Sequence, residues 1–462
     1  FISEQQDVTL AWPYKDCVLE GAQTKENQKS EEVFYNEVLA PDQVNRLLAP
    51  KVLGKAKRYT ANGVEKNIIF NDNDNLIIKG NNLLGLSTLL ERFAGQVQLI
   101  YIDPPYNTGN DSFKYNDRFN HSSWLTFMKN RLELAYKLLK DNGSMYVQID
   151  NNESAYLKVL MDEIFGKEHF QTEIIWVLEG ASGYKSLVNN YVRGHDSILF
   201  YTKSDKFKYH KTYLPYDEKQ LKRFSSVDED GRRYKAITKT RKLYLDEAKG
   251  IPLTDVWNDI ASFQTIVNSP ERTGFDTQKP EKLLERIISC SSDEGDLILD
   301  FHLGSGTTSS VAHKMKRQYI GIEQMDYIEN ITVERMKKVV CGVQNGISKN
   351  YNGQGGSFVY CELLEDNQSL INEIKGTSDL ETIKSILTIA IDRGKIVPSV
   401  LPIDLEKTES EFDKLSLEEQ KKLALDILNK NKLYISLSDI DDEDANVSEA
   451  DKAFTKSFYG LE

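Results

Sequence analysis

The chain has little that would staple or anchor it. Its 462 residues hold four cysteines, Cys17, Cys290, Cys341 and Cys361, with no Cys-x-x-Cys pair. A disulfide framework or zinc site is therefore not expected, and reduced thiols in a cytoplasmic setting are the simple reading. No apolar run is long enough to cross a bilayer. The polar and acidic residues that follow Phe1 do not resemble a signal peptide, and no membrane partner is expected. No internal repeat is evident. The acidic cluster Asp439–Asp444 lacks the spacing of a calcium loop, so no metal is expected there.

What is present is ordinary in bulk and uneven in detail. Hydrophobic residues make up 40% and charged residues 28%, as in a soluble globular protein. The net charge of −13 argues at first against nucleic acid. Its distribution argues the other way. Residues 361–462 carry 12 Lys and Arg against 23 Asp and Glu, whereas residues 202–250 carry 14 against 8. Local charge is what a phosphate backbone meets.

Apolar periodicity divides the chain into five parts. Residues 1–60 read as a mostly helical extension. From 61 to 201 short apolar runs (Leu76–Lys79, Val97–Ile102, Ser144–Ile149, Glu173–Val177, Ser197–Tyr201) alternate with helical spacing at Gly85–Phe93, Trp124–Leu139 and Ala155–Phe165. Asp141-Asn142-Gly143 reads as a helix stop. This alternation predicts an α/β sheet covered on both faces. The pattern breaks in the basic segment 202–250 and returns over 251–350. Residues 351–462 read as mainly helical and acidic, with Lys414–Leu433 presenting one apolar face. Gly180–Lys185 reads as a loop near the site.

Two elements carry chemistry. Asp103-Pro104-Pro105-Tyr106 follows directly on the strand Val97–Ile102, and ligand sites in open α/β sheets lie beyond the carboxyl ends of strands. Two prolines make a rigid loop without donors. Such a loop offers acceptors to the two hydrogens of a planar amine, and Tyr106 can stack on a flat base held outside its helix. The second element is Asp300-Phe301-His302-Leu303-Gly304-Ser305-Gly306-Thr307-Thr308, between a strand and a helix. Gly304 and Gly306 allow close approach of backbone to a ligand, and the following helix offers free N–H groups. The next strand ends at Glu323, an acid placed to bind ribose hydroxyls. No Lys-Ser/Thr clamp follows the glycines, which disfavours a nucleoside triphosphate. His195-Asp196 is read as a strand-edge pair.

Together these pieces resemble the β-class amino-methyltransferases of DNA, and more closely the modification (Mod) subunit of type III restriction-modification systems. The resemblance runs through Tyr101–Ser112, Asn120–Leu132, Thr273–Pro280, Asp300–Thr308, Tyr319–Asp326 and the terminal Asn429–Tyr459. It implies a Rossmann-like sheet that binds S-adenosylmethionine, with 61–201 as the catalytic half and 251–350 as the cofactor half. Asp103 and the Pro104 carbonyl would hold the target amine within Asp103–Pro105, with Tyr106 stacking. Phe301, His302, Gly304, Gly306, Thr307 and Glu323 would hold the cofactor, helped by Lys279, Asn81 and Asn107. Asn81 replaces the usual acid of a Gly-Asp-Asn-Leu motif, and His302 stands where Phe is more frequent. The segment 202–250 would recognise duplex DNA through Lys222, Arg223, Arg232, Arg233, Lys239, Arg241 and Lys242. The helical C-terminal domain would serve a homodimer and a restriction (Res) subunit. Asp-Pro-Pro-Tyr implies N6 of adenine; N4 of cytosine, or a non-catalytic DNA-reading subunit, are the alternatives.

Overall fold

The computed structural model describes residues 8–21, 23, 34–109, 115–178, 189–266, 268–351, 355–366, 368–392, 412, 415–430 and 434–461. Gly180–Lys185 and Asn110 lie outside them. Eleven strands form one sheet: β1 (Leu53–Thr60), β2 (Gly63–Lys66), β3 (Leu76–Lys79), β4 (Val97–Ile102), β5 (Leu139–Ile149), β6 (Phe170–Val177), β7 (His195–Thr202), β8 (Val256–Trp257), β9 (Leu297–Asp300), β10 (Gln318–Glu323) and β11 (Ser357–Leu363). Their order across the sheet is β8-β6-β7-β5-β4-β9-β10-β3-β11-β1-β2. The run from β5 to β11 is parallel, while β7, β1 and β2 are antiparallel to their neighbours.

The central strands read as continuous apolar runs because both faces are covered. Val97, Ile100 and Ile102 of β4 join one core, and Leu99 and Tyr101 join the other. The first core is covered by α2 (Asn82–Phe93), α3 (His121–Leu138) and α4 (Ser154–Phe165). The second is covered by α5 (Glu281–Ser291), α6 (Thr307–Lys314) and α7 (Glu334–Val340). The chain leaves β4 toward β5 on one side and leaves β9 toward β10 on the other. The crevice between the carboxyl ends of β4 and β9 is thus the point where strand order reverses, and that is where open α/β sheets bind ligands.

Three expectations need correction. The first 60 residues are not mostly helical. Their described residues hold an antiparallel pair, Cys17–Leu19 with Phe34–Asn36, one short helix α1 (Pro41–Leu48), and β1 of the main sheet. β1 reads Leu-Gly-Lys-Ala-Lys-Arg-Tyr-Thr, with only its first two residues buried. A strand near the sheet's edge with one wet face needs no apolar alternation. The C-terminal part is not a separate helical domain either. β11 sits between β3 and β1, and α11 (Glu449–Tyr459) packs on β1, where Thr455 bonds the backbone of Leu53. Among the described residues, α8 (Gln368–Gly376), α9 (Leu380–Asp392) and α10 (Leu417–Lys430) form a cluster with its own apolar core. Finally, Asp141–Gly143 do not stop α3; they lie within β5.

Candidate active site

The cleft at the β4–β9 crevice is lined by Tyr101, Asp103 and Pro105 from one side and by Asp300, His302–Ser305, Thr307 and Thr308 from the other. Phe275, Thr277, Lys279, Tyr115, Glu323, Met325 and Tyr327 close it. It is a cleft open to solvent.

The loop Asp103–Tyr106 is held by its surroundings. Trp124 Nε1 donates to the Pro105 carbonyl at 2.9 Å. Lys279 Nζ, which also donates to the Thr277 carbonyl at 3.1 Å, pairs with Asp103 Oδ2. Asp103 Oδ1 is buried and has no hydrogen-bond partner among the described residues. Burial pushes the Asp103 carboxyl up, against the pull of Lys279 and of the nearby Tyr106 hydroxyl. Tyr106 is half-buried and stands outside the cofactor-type cleft. Its hydroxyl donates to Asp196 Oδ2 at 3.3 Å.

The glycine turn brings backbone against Glu323. Gly304 has φ 53° and donates to Glu323 Oε2 at 2.9 Å; Gln324 and Met325 N–H groups hold Oε1 at 2.8 and 3.0 Å. Burial pushes the Glu323 carboxyl up despite these donors. Gly306, at φ 76°, precedes α6, and a Cβ there would stand 2.8 Å from Thr332 Cγ2. Asp300 accepts from Thr308 Oγ1 at 2.6 Å and from the His302 N–H at 3.0 Å, yet burial pushes it up to about 7. His302 lines the cleft; burial and the charge of Arg131 push it down to about 3, so it is neutral at physiological pH. Thr307 Oγ1 donates to the Lys279 carbonyl at 3.2 Å and accepts from Arg335 at 2.8 Å. That tie fixes the helix start against the Lys279 segment.

The structure therefore brings Asp103, Pro105, Lys279, His302, Gly304, Thr307 and Glu323 to one cleft. Phe301, Asn81, Asn107 and Gly306 are not on its wall. Phe301 is core, and its carbonyl accepts from Asn82 Nδ2 at 3.0 Å. Asn81 caps α2, accepting from the Leu83 N–H at 2.9 Å. Asn107, at φ 60°, clamps the loop: its side chain donates to Glu153 at 2.6 Å and accepts from the Phe119 N–H at 2.7 Å. Lys279 also reaches the Asp103 carboxylate. Sequence reasoning missed the aromatic walls Phe275 and Tyr327, whose ring centroids lie 5.0 Å apart, and the anchoring of Tyr106 by Asp196.

The basic segment is built of short strands, Ser226–Val227, Arg233–Ala236 and Lys242–Tyr244, on a stem in which Tyr213–Leu214 pairs with Ile251–Pro252. Its cations divide into two groups. Arg232 pairs with Asp246 and Glu247 at 2.8 and 2.6 Å, Arg233 donates to the Phe224 carbonyl at 3.1 Å, and Lys242 sits 4.3 Å over the Tyr234 ring. Lys222, Arg223, Lys239 and Arg241 stand exposed on its surface.

Comparison with known proteins agrees with this geometry. The family model for DNA methylases of the N6/N4 type matches residues 97–334. A probable type III restriction-modification enzyme HindVI Mod subunit of Haemophilus influenzae is 34% identical, over all of this chain and 86% of that protein. The StyLTI Mod subunit of Salmonella typhimurium is 30% identical over 51% of this chain and 49% of its own length. The type II methyltransferase M.EcaI of Enterobacter cloacae is 29% identical over 56% of this chain and 69% of its own. Among solved structures, an M1.HpyAVI–SAM complex matches 56% of this chain and 98% of its own at 19% identity and a TM-score of 0.36.

Proposed function

The chain belongs to the N6/N4 DNA methylases, and we propose that it transfers methyl from S-adenosylmethionine to N6 of adenine in duplex DNA, as the modification subunit of a type III restriction-modification system. The observation that carries the mechanism is Asp103. Lys279 occupies one of its oxygens, and the other is buried without a partner among the described residues, in the cleft that also holds the glycine turn and Glu323. An acceptor left bare there is costly unless a ligand supplies the donor, and an exocyclic amine supplies two.

The residues fit the cofactor. Glu323 ends the strand beside the glycine turn, as a ribose-binding acid does. Phe275 and Tyr327 offer apolar walls, and three carboxyl groups, Asp103, Asp300 and Glu323, suit a cationic ligand. Bound there, S-adenosylmethionine supplies a methyl carbon made electrophilic by its sulfonium. Asp103 Oδ1 and the Pro104 carbonyl then accept the two amine hydrogens, which directs the nitrogen lone pair at that carbon. Tyr106 stacks on the flipped base. As the N–C bond forms, the C–S pair stays on sulfur and one amine proton departs, beside a carboxylate whose affinity for protons burial has raised. Holding the reactants in line supplies much of the rate. His302 stays neutral and acts as a wall, not a base.

Lys222, Arg223, Lys239 and Arg241 are the phosphate contacts this reading favours, with Arg232, Arg233 and Lys242 shaping the segment that carries them. A homodimer and a Res subunit are the expected protein partners. The test is direct. Tritium from labelled S-adenosylmethionine should enter DNA as N6-methyladenine after digestion and mass analysis. Label recovered as N4-methylcytosine would move the substrate to cytosine, and transfer undiminished in Asp103→Ala would overturn the mechanism.

A further inference from the structure

Tyr106 poses a problem that the site as described does not solve. A ring that stacks on a base must be held at a fixed angle, yet Tyr106 is half-buried at the rim of the first core. Its hydroxyl is its one polar handle. That hydroxyl donates to Asp196 Oδ2, 90 residues away on β7, at 3.3 Å, and it also reaches toward the Asp103 carboxylate. Asp196 is 4% exposed, and its setting is built rather than incidental. Gln148 Nε2, on β5, donates to the same Oδ2 at 2.9 Å. Gln148 Oε1 in turn accepts from the Tyr101 hydroxyl on β4 at 2.7 Å. Arg193 Nη2 lies 3.3 Å from Asp196 Oδ1, and its guanidinium lies 6.0 Å from the Tyr106 ring centre.

We propose that Asp196 is a positioning residue for methyl transfer: its carboxylate fixes the Tyr106 ring at the angle on which the target base stacks. The inference rests on the adenine-methylation reading. A carboxylate is suited to the role because it accepts only, and one of its oxygens can take two donors. Asparagine of the same shape would turn an amide N–H toward Gln148 or Arg193, each of which already donates. The chain Tyr106–Asp196–Gln148–Tyr101 also ends on a wall of the cofactor cleft. One carboxylate on β7 thus ties the stacking ring, through Gln148, to Tyr101 on the cleft wall. His195-Asp196 is not merely a strand-edge pair: His195 is exposed, while Asp196 faces inward beneath the catalytic loop.

The experiment is a cycle of Tyr106→Phe, Asp196→Asn and the double variant, on DNA carrying the site mapped by sequencing modified DNA from cells expressing the chain. Wild-type transfer is measured first; its absence would sink the functional reading, not this inference. Given an active wild type, each single variant should lose about tenfold to a hundredfold in kcat/KM for DNA, the worth of a charge-assisted hydrogen bond. Affinity for S-adenosylmethionine, read by calorimetry, should stay unchanged. The double variant should be no worse than the worse single, because both remove the same contact. Losses that multiply, or a fall in cofactor affinity in Asp196→Asn, would make Asp196 a general structural residue. Full activity in Tyr106→Phe, which keeps the ring and its packing, would overturn the inference even if Asp196→Asn failed to fold.

Discussion

The carboxyl edge of the sheet and the basic segment are built on opposite plans. At the edge, Asp103, Asp300 and Glu323 lie under apolar cover, each tied to named partners within hydrogen-bond reach. In the segment, strands are two to four residues long, and many of the cations stand exposed, pair with its own acids or lie over its own rings. The difference teaches where single residues matter. In low dielectric an uncompensated polar group costs several times what it costs in water, so the edge tolerates no trimming. In the segment, screening spreads the work over many charges.

That contrast orders the expected effects of substitution. Asp103→Ala should cost most, about 10²–10³-fold in kcat for methyl transfer, by analogy with removing one preorganised hydrogen-bond partner. Glu323→Gln should follow, weakening S-adenosylmethionine binding by about tenfold to a hundredfold in calorimetry. Gly306→Ala sharpens the comparison from the side of packing. Its positive φ and the approach to Thr332 should lower stability by about 1–3 kcal/mol in chemical denaturation. The double variant Lys239→Ala, Arg241→Ala should leave cofactor affinity untouched and reduce the salt dependence of DNA binding by about one unit of slope per residue. A change in kcat from that pair would break the distinction between edge and segment.

A further effect is expected in pH. Asp300 is raised to about 7. A carboxyl raised on folding contributes stability that is full below its unfolded value and is lost as pH rises through its folded one. Melting of the ligand-free protein should therefore lose temperature between pH 4 and pH 8, and Asp300→Asn should lose less over the same range. An equal loss in the variant would mean that other groups carry the dependence.

The halves of the site were legible because the strands that present them are buried on both faces. Val97–Ile102, Leu297–Asp300 and Gln318–Glu323 are short apolar runs that end on acids, and strand ends are where such sheets place ligands. β1 was hidden by its own position near the sheet's edge: Lys55, Lys57 and Arg58 face solvent or neighbouring acids and leave no alternation to read. Asn81 and Asn107 show a different limit. An asparagine side chain serves a ligand, a helix cap or a loop clamp with the same atoms, and sequence does not say where it points. Asp196 was legible as a strand-end residue but its contact with Tyr106 was not, because the two are neighbours only after β4, β5 and β7 have paired.

The stem of the basic segment has one more consequence. The chain quits the sheet at Thr202 and rejoins it at Val256, and both strands are pinned by β6 between them. Whatever hangs between those points starts and finishes at anchored ends. Each doubling of such an excursion adds only about 0.6 kcal/mol of closure entropy. The sheet is therefore nearly indifferent to the size of what hangs from it, which evolution or an engineer is free to exchange as one would change a lens on a fixed camera body.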